Sequence, residues 1–279
     1  MIRREIRSSD GSNLWLLIPQ VEHAHISGEL TRHWREQFTP DVVDAITHHD
    51  DGWAAWEADP KLNPELGAPF SFLEMPPAAA MVIWDHSIEA AGKFGPLAAY
   101  IVAGHFYNLL SESEHANDPL AIAWLTAKRK LRTSWLDEWV RADSSHTLEY
   151  AKQAQYMLLL TDLLSLWLCC DCPVEANSAS ILDQSAMKLR TDTLLNQFHF
   201  SVPEFTVRHS TAGDRIEGLA WSVAVQPFPT KTGLLTLSAQ AIAASAQHYA
   251  TWQEFKAASW PVGLRWQLAE KVPSNGEAR

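Results

Sequence analysis

Three observations predict a mainly helical α+β protein folded as a single domain. Apolar residues recur at helical spacing through most of residues 20–170, period-two apolar runs are confined to the two ends of the chain, and Pro and Gly punctuate the junctions. The expected architecture is a helical bundle over 20–170, with a small β-sheet built from an N-terminal hairpin (1–19) and C-terminal strands (about 200–270) packed on it. A chain of 279 residues with 47% hydrophobic and 20% charged side chains has the material for such a core.

Taken in order, the runs 2–7 and 14–18 flank Ser8-Ser9-Asp10-Gly11-Ser12, whose Asp-Gly step predicts a hairpin turn. From Gln20 the period changes: His23, Ile26, Ser27, Leu30 and Trp34 recur on one side of a helix, with His25 and His33 elsewhere on the wheel. Thr39-Pro40-Asp41 caps a second helix with Val42, Val43, Ala45 and Ile46 as its apolar side. That helix runs straight into His48-His49-Asp50-Asp51, and Gly52 is expected to end it. Residues 53–77, rich in Pro and carrying Trp53, Trp56, Phe70 and Phe72, read as a long ordered loop of the kind that forms lids or binding loops.

Helices are expected again at about 78–91, 96–110 and 119–141. A strongly apolar helix follows over 147–170, in which Asp162 is the one charge between Met157 and Leu168. Beyond Pro173 the expected strands are 205–208, 219–226, 234–243 and 262–268. Helical turns are expected at 181–195 and 252–258, and a polar, disordered tail beyond Lys271.

Composition narrows the partners. A formal net charge of −11, with no basic group longer than Lys128-Arg129-Lys130, argues against nucleic acid and leaves a small-molecule substrate as the expected partner. The N-terminus lacks the apolar run of a signal peptide and no apolar stretch reaches membrane-spanning length, so a cytoplasmic protein without a membrane partner is expected. Cys169, Cys170 and Cys172 stand too close together to form a disulfide framework and read as reduced and incidental. Oligomeric state leaves no mark in the sequence.

The chemistry is concentrated in His48-His49-Asp50-Asp51, four side chains that bind divalent metals or move protons near neutral pH. Asp162, a carboxylate amid a dozen apolar positions, costs several kcal/mol to bury without a compensating partner. A metal ion supplies one, and His23 and His49-Asp50 are the donors on comparable helices. Each residue also has a plain explanation: His23 as a hydrogen-bonded core histidine, His86 and His105 as ordinary helix residues, Asp51 as a turn residue.

The ordered set His23, His49-Asp50, Asp162, with Thr161-Asp162-Leu163-Leu164-Ser165 around its last member, resembles the HD superfamily of metal-dependent phosphohydrolases. More narrowly, Gln20-x-x-His23-Ala24, His49-Asp50-Asp51-Gly52-Trp53, Gly104-His105, Asp162-Leu163-Leu164-Ser165-Leu166 and Trp260-Pro261 to Trp266 resemble a bacterial domain-of-unknown-function family, number 3891. The HD resemblance implies an HD-like helical bundle in which His23, His49, Asp50 and Asp162 ligate one divalent ion (Mn, Zn, Fe or Mg). His86 is then available for a second ion. The usual adjacent His-His pair of two-metal HD enzymes is absent between the HD pair and the last Asp, which favours a single ion.

The activity this implies is hydrolysis of a small phosphoester or nucleotide, with Asp51 orienting the attacking water and His105 protonating the leaving oxygen. Two other classes remain open: a non-catalytic metal- or ligand-binding helical module, and an HD-type di-iron oxygenase.

Overall fold

The computed structural model describes residues 1–8, 11–174, 178–179, 195–210 and 215–270. The expected helical turn at 181–195, except for Leu195, the Asp10 position of the first hairpin turn and the tail beyond Lys271 lie outside them.

The first hairpin, β1 (Ile2–Arg7) and β2 (Asn13–Ile18), pairs antiparallel from Ile2 opposite Ile18 to Arg7 opposite Asn13. It is followed by α1 (Gln20–His33) and α2 (Pro40–Thr47). A 3₁₀ turn at Asp51–Trp53 then leads into α3 (Ala54–Ala58), a two-residue ladder of β3 (Leu62–Asn63) with β4 (Ala68–Pro69), and a 3₁₀ turn at Phe72–Glu74. The helices α4 (Pro77–Gly92), α5 (Pro96–Ser111), α6 (Pro119–Ala142) and α7 (Leu148–Leu166) come next, α7 continuing through a π-helical turn at Trp167–Asp171. The chain finishes with β5 (Ser178–Ala179), β6 (His199–His209), β7 (Ile216–Gln226), β8 (Leu234–Ser245), α8 (Trp252–Ala258) and β9 (Trp260–Ala269).

The expectation of an HD-like helical bundle with a small sheet is corrected here. The β-elements form a large mixed sheet, curled as a half-barrel, in the order β1-β2-β8-β9-β7-β6-β5. All neighbours are antiparallel except β7 and β9, which run parallel. The sheet is therefore a principal layer of an α+β fold. Its strands are 10 to 12 residues long from β6 to β9, well beyond the short runs that local alternation marks out.

One face of the sheet carries Trp221, Val223, Leu237, Leu264 and Trp266, and packs with Ile26 and Leu30 of α1 and with Leu160, Leu163 and Trp167 of the α7 segment. On the far side of these helices a second core joins Val42 and Ile46 of α2, Ile101, Val102 and Phe106 of α5, and Met157 and Leu158 of α7. Helix α7 thus has apolar neighbours on both sides, and Leu160 through Leu166 are all buried. A helix covered all round needs no polar stripe, which is why its sequence is apolar without a clear period.

Two close approaches set the helices around the site. At Gly28 a Cβ would meet the Cα and side chain of Thr47, so α1 lies directly on α2. At Gly52 a Cβ would land on the Ile83 carbonyl oxygen and 2.5 Å from the Ser87 nitrogen, so the turn after α2 rests on the backbone of α4. The Gly52 N–H donates to Ser87 Oγ at 3.0 Å across the same contact.

Candidate metal centre

The site forms where α1, the end of α2, α5 and α7 converge. Helix α1 contributes His23, the turn after α2 contributes His49 and Asp50, α5 contributes His105 and α7 contributes Asp162, and all five are buried. The backbone leaves helical geometry at His48 and again at Asp50, with φ near −110° at both, and this sets the middle pair of the four side chains apart from the outer pair. His49 and Asp50 face inward, while His48 and Asp51 face out.

The inward cluster is tight. His23 Nε2 lies 2.8 Å from Asp50 Oδ2, and His23 Nδ1 lies 2.9 Å from Ser165 Oγ and 3.8 Å from Asp162 Oδ1. His49 Nε2 is 3.2 Å from Asp162 Oδ1 and 3.7 Å from Asp50 Oδ2. His105 Nε2 is 4.0 Å from Asp162 Oδ2. His23 and His49, and His49 and His105, meet edge to face at 5.3 and 5.4 Å between ring centres.

Second contacts fix the rings. His49 Nδ1 donates to the Ile46 carbonyl at 2.8 Å, which assigns its proton and turns Nε2 toward the carboxylates. Ser165 Oγ donates to the Asp162 carbonyl at 2.8 Å and so accepts from His23 Nδ1–H. Ser27, Thr31 and Thr161 extend this polar seam between α1 and α7. Ser27 and Ser165 therefore tie the His23 helix to the Asp162 helix.

The electrostatics follow from burial and proximity. Burial alone would raise the Asp162 carboxyl, but the imidazoles of His105, His49 and His23 pull it down to about 2. Burial likewise works against a charged His49, yet Asp50 and Asp162 outweigh it and hold the imidazole up at about 9. The Asp50 carboxyl, also disfavoured by burial, is drawn below its usual value by His49 and His23. For His105 burial dominates and lowers the pKa.

A candidate metal-binding site of His23, His49 and Asp162 is present, with one donor atom from each lying within 4.8 Å of the others. The donors fit a divalent ion: the inward nitrogen of His49 is free to act as a ligand once deprotonated, and two carboxylates stand ready to balance the charge. Above the cluster opens a cavity of about 260 Å³, lined by Gln20, Trp53, Phe72, Trp84, Phe106 and Leu163 among others, with His23, Asp50, His105 and Asp162 in its wall. Gln20 Oε1 and His105 Nδ1 are buried without a hydrogen-bond partner.

Two of the sequence-predicted residues lie elsewhere. His86 is exposed on α4, and Asp51 pairs with His48 at 3.0 Å; neither lines the cavity. The cavity residues Asn108 and Gln155 were not singled out by the sequence reading, and Gln20 entered it only as part of the Gln20-x-x-His23-Ala24 motif. Lone amides at helical positions carry no local signal. Gln155 is set by Arg132, whose Nη2 donates to its Oε1 at 2.7 Å. Among the described residues no helix is long and apolar enough to cross a membrane.

No curated protein and no solved structure matches this chain, and the resemblance to the HD superfamily finds no support in the comparisons. The match that does exist runs through the whole site, from Gln20 to Asp162, and through most of the sheet: the model of the family described as "Protein of unknown function (DUF3891)" covers residues 1–243, and the chain belongs to that family.

Proposed function

We propose that the protein is a divalent-metal-dependent hydrolase acting on a small molecule, with the ion held by His23, His49, Asp50 and Asp162. The observation that carries this reading is the position of the cluster: two carboxylates and two imidazoles, all buried, stand in the wall of a cavity of about 260 Å³, with the buried His49 beside them. Such a set is costly to bury for stability alone, since removing charges from water is repaid only partly by their pairing. When bound, a divalent ion supplies an acidified water and neutralises charge developing on a substrate oxygen.

The chain's own residues do the rest. Asp50 and Asp162 hold negative charge at the ion and lower its net charge. His105, whose pKa is lowered by burial, rests neutral and serves to hand a proton to or take one from the substrate's leaving atom. Trp53, Phe72, Trp84 and Phe106 exclude water and hold the substrate's apolar body. A phosphoester is the narrower candidate. Among the described residues no Lys or Arg lines the cavity, so it favours an ester carrying a single negative charge over a nucleotide polyphosphate.

The third imidazole, His105, also supports a second reading as a two-iron oxygenase. A visible or near-ultraviolet iron band in the purified protein distinguishes it from a hydrolase.

The test is metal content by mass spectrometry after dialysis against metal-free buffer, for the wild type and for Asp50→Ala and Asp162→Ala, with folding checked by circular dichroism. The expected result is about one equivalent of a transition metal in the wild type and none in either variant, followed by metal-dependent turnover in a screen of neutral and singly charged esters. Folded variants that keep the metal would overturn the ligand assignment. A metal-loaded protein inert toward every ester class would overturn hydrolysis.

A further inference from the structure

We propose that His25, His48 and Asp51 form a second, outer metal site that takes a borderline divalent ion of the zinc class. Donor atoms from these three side chains lie within 4.8 Å of one another, the same closeness as in the inner cluster. His48 Nδ1 is 3.0 Å from Asp51 Oδ2, and the His25 and His48 rings meet edge to face at 5.9 Å. The His48 ring is stacked on Phe94 at 5.2 Å and 22°, which fixes its plane before any ion arrives.

The outer set doubles the inner one along the chain. His25 stands two residues after His23, His48 one before His49, and Asp51 one after Asp50. On α1 a step of two residues turns about 200°, and in the turn after α2 the middle pair His49 and Asp50 faces inward while the flanking His48 and Asp51 face outward, so the same two segments present His and Asp donors on two sides. The inner set is buried, whereas His48 and Asp51 are about one-third exposed, at 32% and 35%, and His25 is exposed.

Two imidazoles with one carboxylate suit Zn²⁺, Co²⁺, Ni²⁺ or Cu²⁺, and not Mg²⁺ or Ca²⁺, which take oxygen ligands. Three protein ligands at a surface leave positions for water, so the ion exchanges with solvent. Its structural effect is to clamp α1 to the turn that carries His49 and Asp50. The outer site does not depend on the inner site being catalytic.

The experiment is calorimetric titration of the full-length protein with Zn²⁺, paired with the visible spectrum of the Co²⁺ form, for the wild type, His25→Gln, His48→Ala and Asp162→Ala. His25 is exposed and His48 partly so, and these substitutions leave the fold intact. The expected result is two equivalents in the wild type, the weaker one lost by at least tenfold in affinity in His25→Gln and in His48→Ala and retained in Asp162→Ala. The weaker site also raises the melting temperature in wild type and not in His48→Ala. A wild type that takes no weaker equivalent, or a weaker equivalent unchanged in both outer variants, overturns the proposal. Loss of only the tighter equivalent's dependence on Asp162 bears on the inner site and leaves the outer result readable.

Discussion

Replacing Gly52 with Ala puts a methyl group against backbone, where no rotamer change can relieve it. The added Cβ lies 2.5 Å from the Ser87 nitrogen, and ordinary contact begins at 3.4 Å, so the turn must lift from α4 by about 0.9 Å. Overpacking of this kind costs about 1–3 kcal/mol, and the stretched Gly52 N–H to Ser87 Oγ bond adds about 1 kcal/mol. A loss of about 3 kcal/mol lowers the melting temperature of a domain of this size by roughly 6 °C. The larger effect falls on the site, because His49 and Asp50 are three and two residues away and metal ligands tolerate displacements of only about 0.2 Å. Metal affinity is expected to fall by at least roughly tenfold, the range seen when a ligand's supporting contacts are removed. Scanning fluorimetry and zinc calorimetry read the two effects. Gly92→Ala is the control, since its Cβ would meet nothing within 4 Å and Ala is the better helix former. Gly52→Ala with wild-type melting and wild-type affinity would refute the close packing of the turn on α4.

Two further outcomes follow from the electrostatics and from the loop over the cavity. With His49 held at about 9, above its ordinary 6.5, its charged form stabilises the metal-free protein fully below pH 6.5, and that contribution is lost as pH rises through 9. Asp162, depressed from 3.8 to about 2, contributes above pH 3.8 and loses its contribution as pH falls toward 2. An arriving ion must displace the His49 proton, so binding at pH 7 is expected to release about one proton and to strengthen roughly tenfold per pH unit up to about pH 9. Calorimetry of the His48→Ala variant in two buffers of different ionisation enthalpy measures this at the inner site alone; no proton release would contradict it. Arg3→Ala removes the bonds from Arg3 Nη1 to the Pro69 carbonyl at 2.8 Å and to Glu74 Oε2 at 3.0 Å, which hold the Phe72–Glu74 turn over the cavity. Hydrogen exchange of residues 69–75 should rise while the melting temperature moves by only about 2 °C, for a loss of about 1 kcal/mol; unchanged exchange would show that other contacts secure the loop.

The sequence made some of this legible, and the reasons differ by residue. Asp162 stood out because a charge inside an apolar helix demands a partner, and it lies 3.2 Å from His49 Nε2. The helix over 252–258 coincides with α8, whose Thr251 side chain accepts from the Glu254 N–H as its cap. The extent of the sheet was not legible. Its strands include Ala- and Ser-rich stretches such as Ala239 to Ser245, and β9 starts at Trp260-Pro261, so local alternation marked most of β7 to β9 short of some end residues and missed most of β6. Pairing of β7 with β9 across forty-five residues, from Gly218 opposite Gly263, leaves no local trace at all. His25 was passed over, and Asp51 was read as orienting the attacking water, for another reason. Their grouping with His48 arises only once the turn has set His48 and Asp51 on the side opposite to His49 and Asp50, and that depends on backbone angles at His48 and Asp50.

The place of β9 has a consequence for how the chain assembles. It is the last of the described strands in sequence, yet it lies in the middle of the sheet, hydrogen-bonded to β8 on one side and to β7 on the other. Until residues 260–269 emerge, β1, β2 and β8 form one fragment and β6 and β7 another, each with an open edge and with no strand between them. The apolar side of α7, which is to be roofed by both fragments, waits uncovered for the same event. A chain stopped at residue 243, where the family match ends, would keep every residue of the metal cluster and lose the strand that joins the two halves of its sheet. Such a fragment exposes two unpaired strand edges, the usual starting point for edge-to-edge aggregation. Continuity of the sheet thus rests on a strand that carries none of the clustered metal-binding side chains.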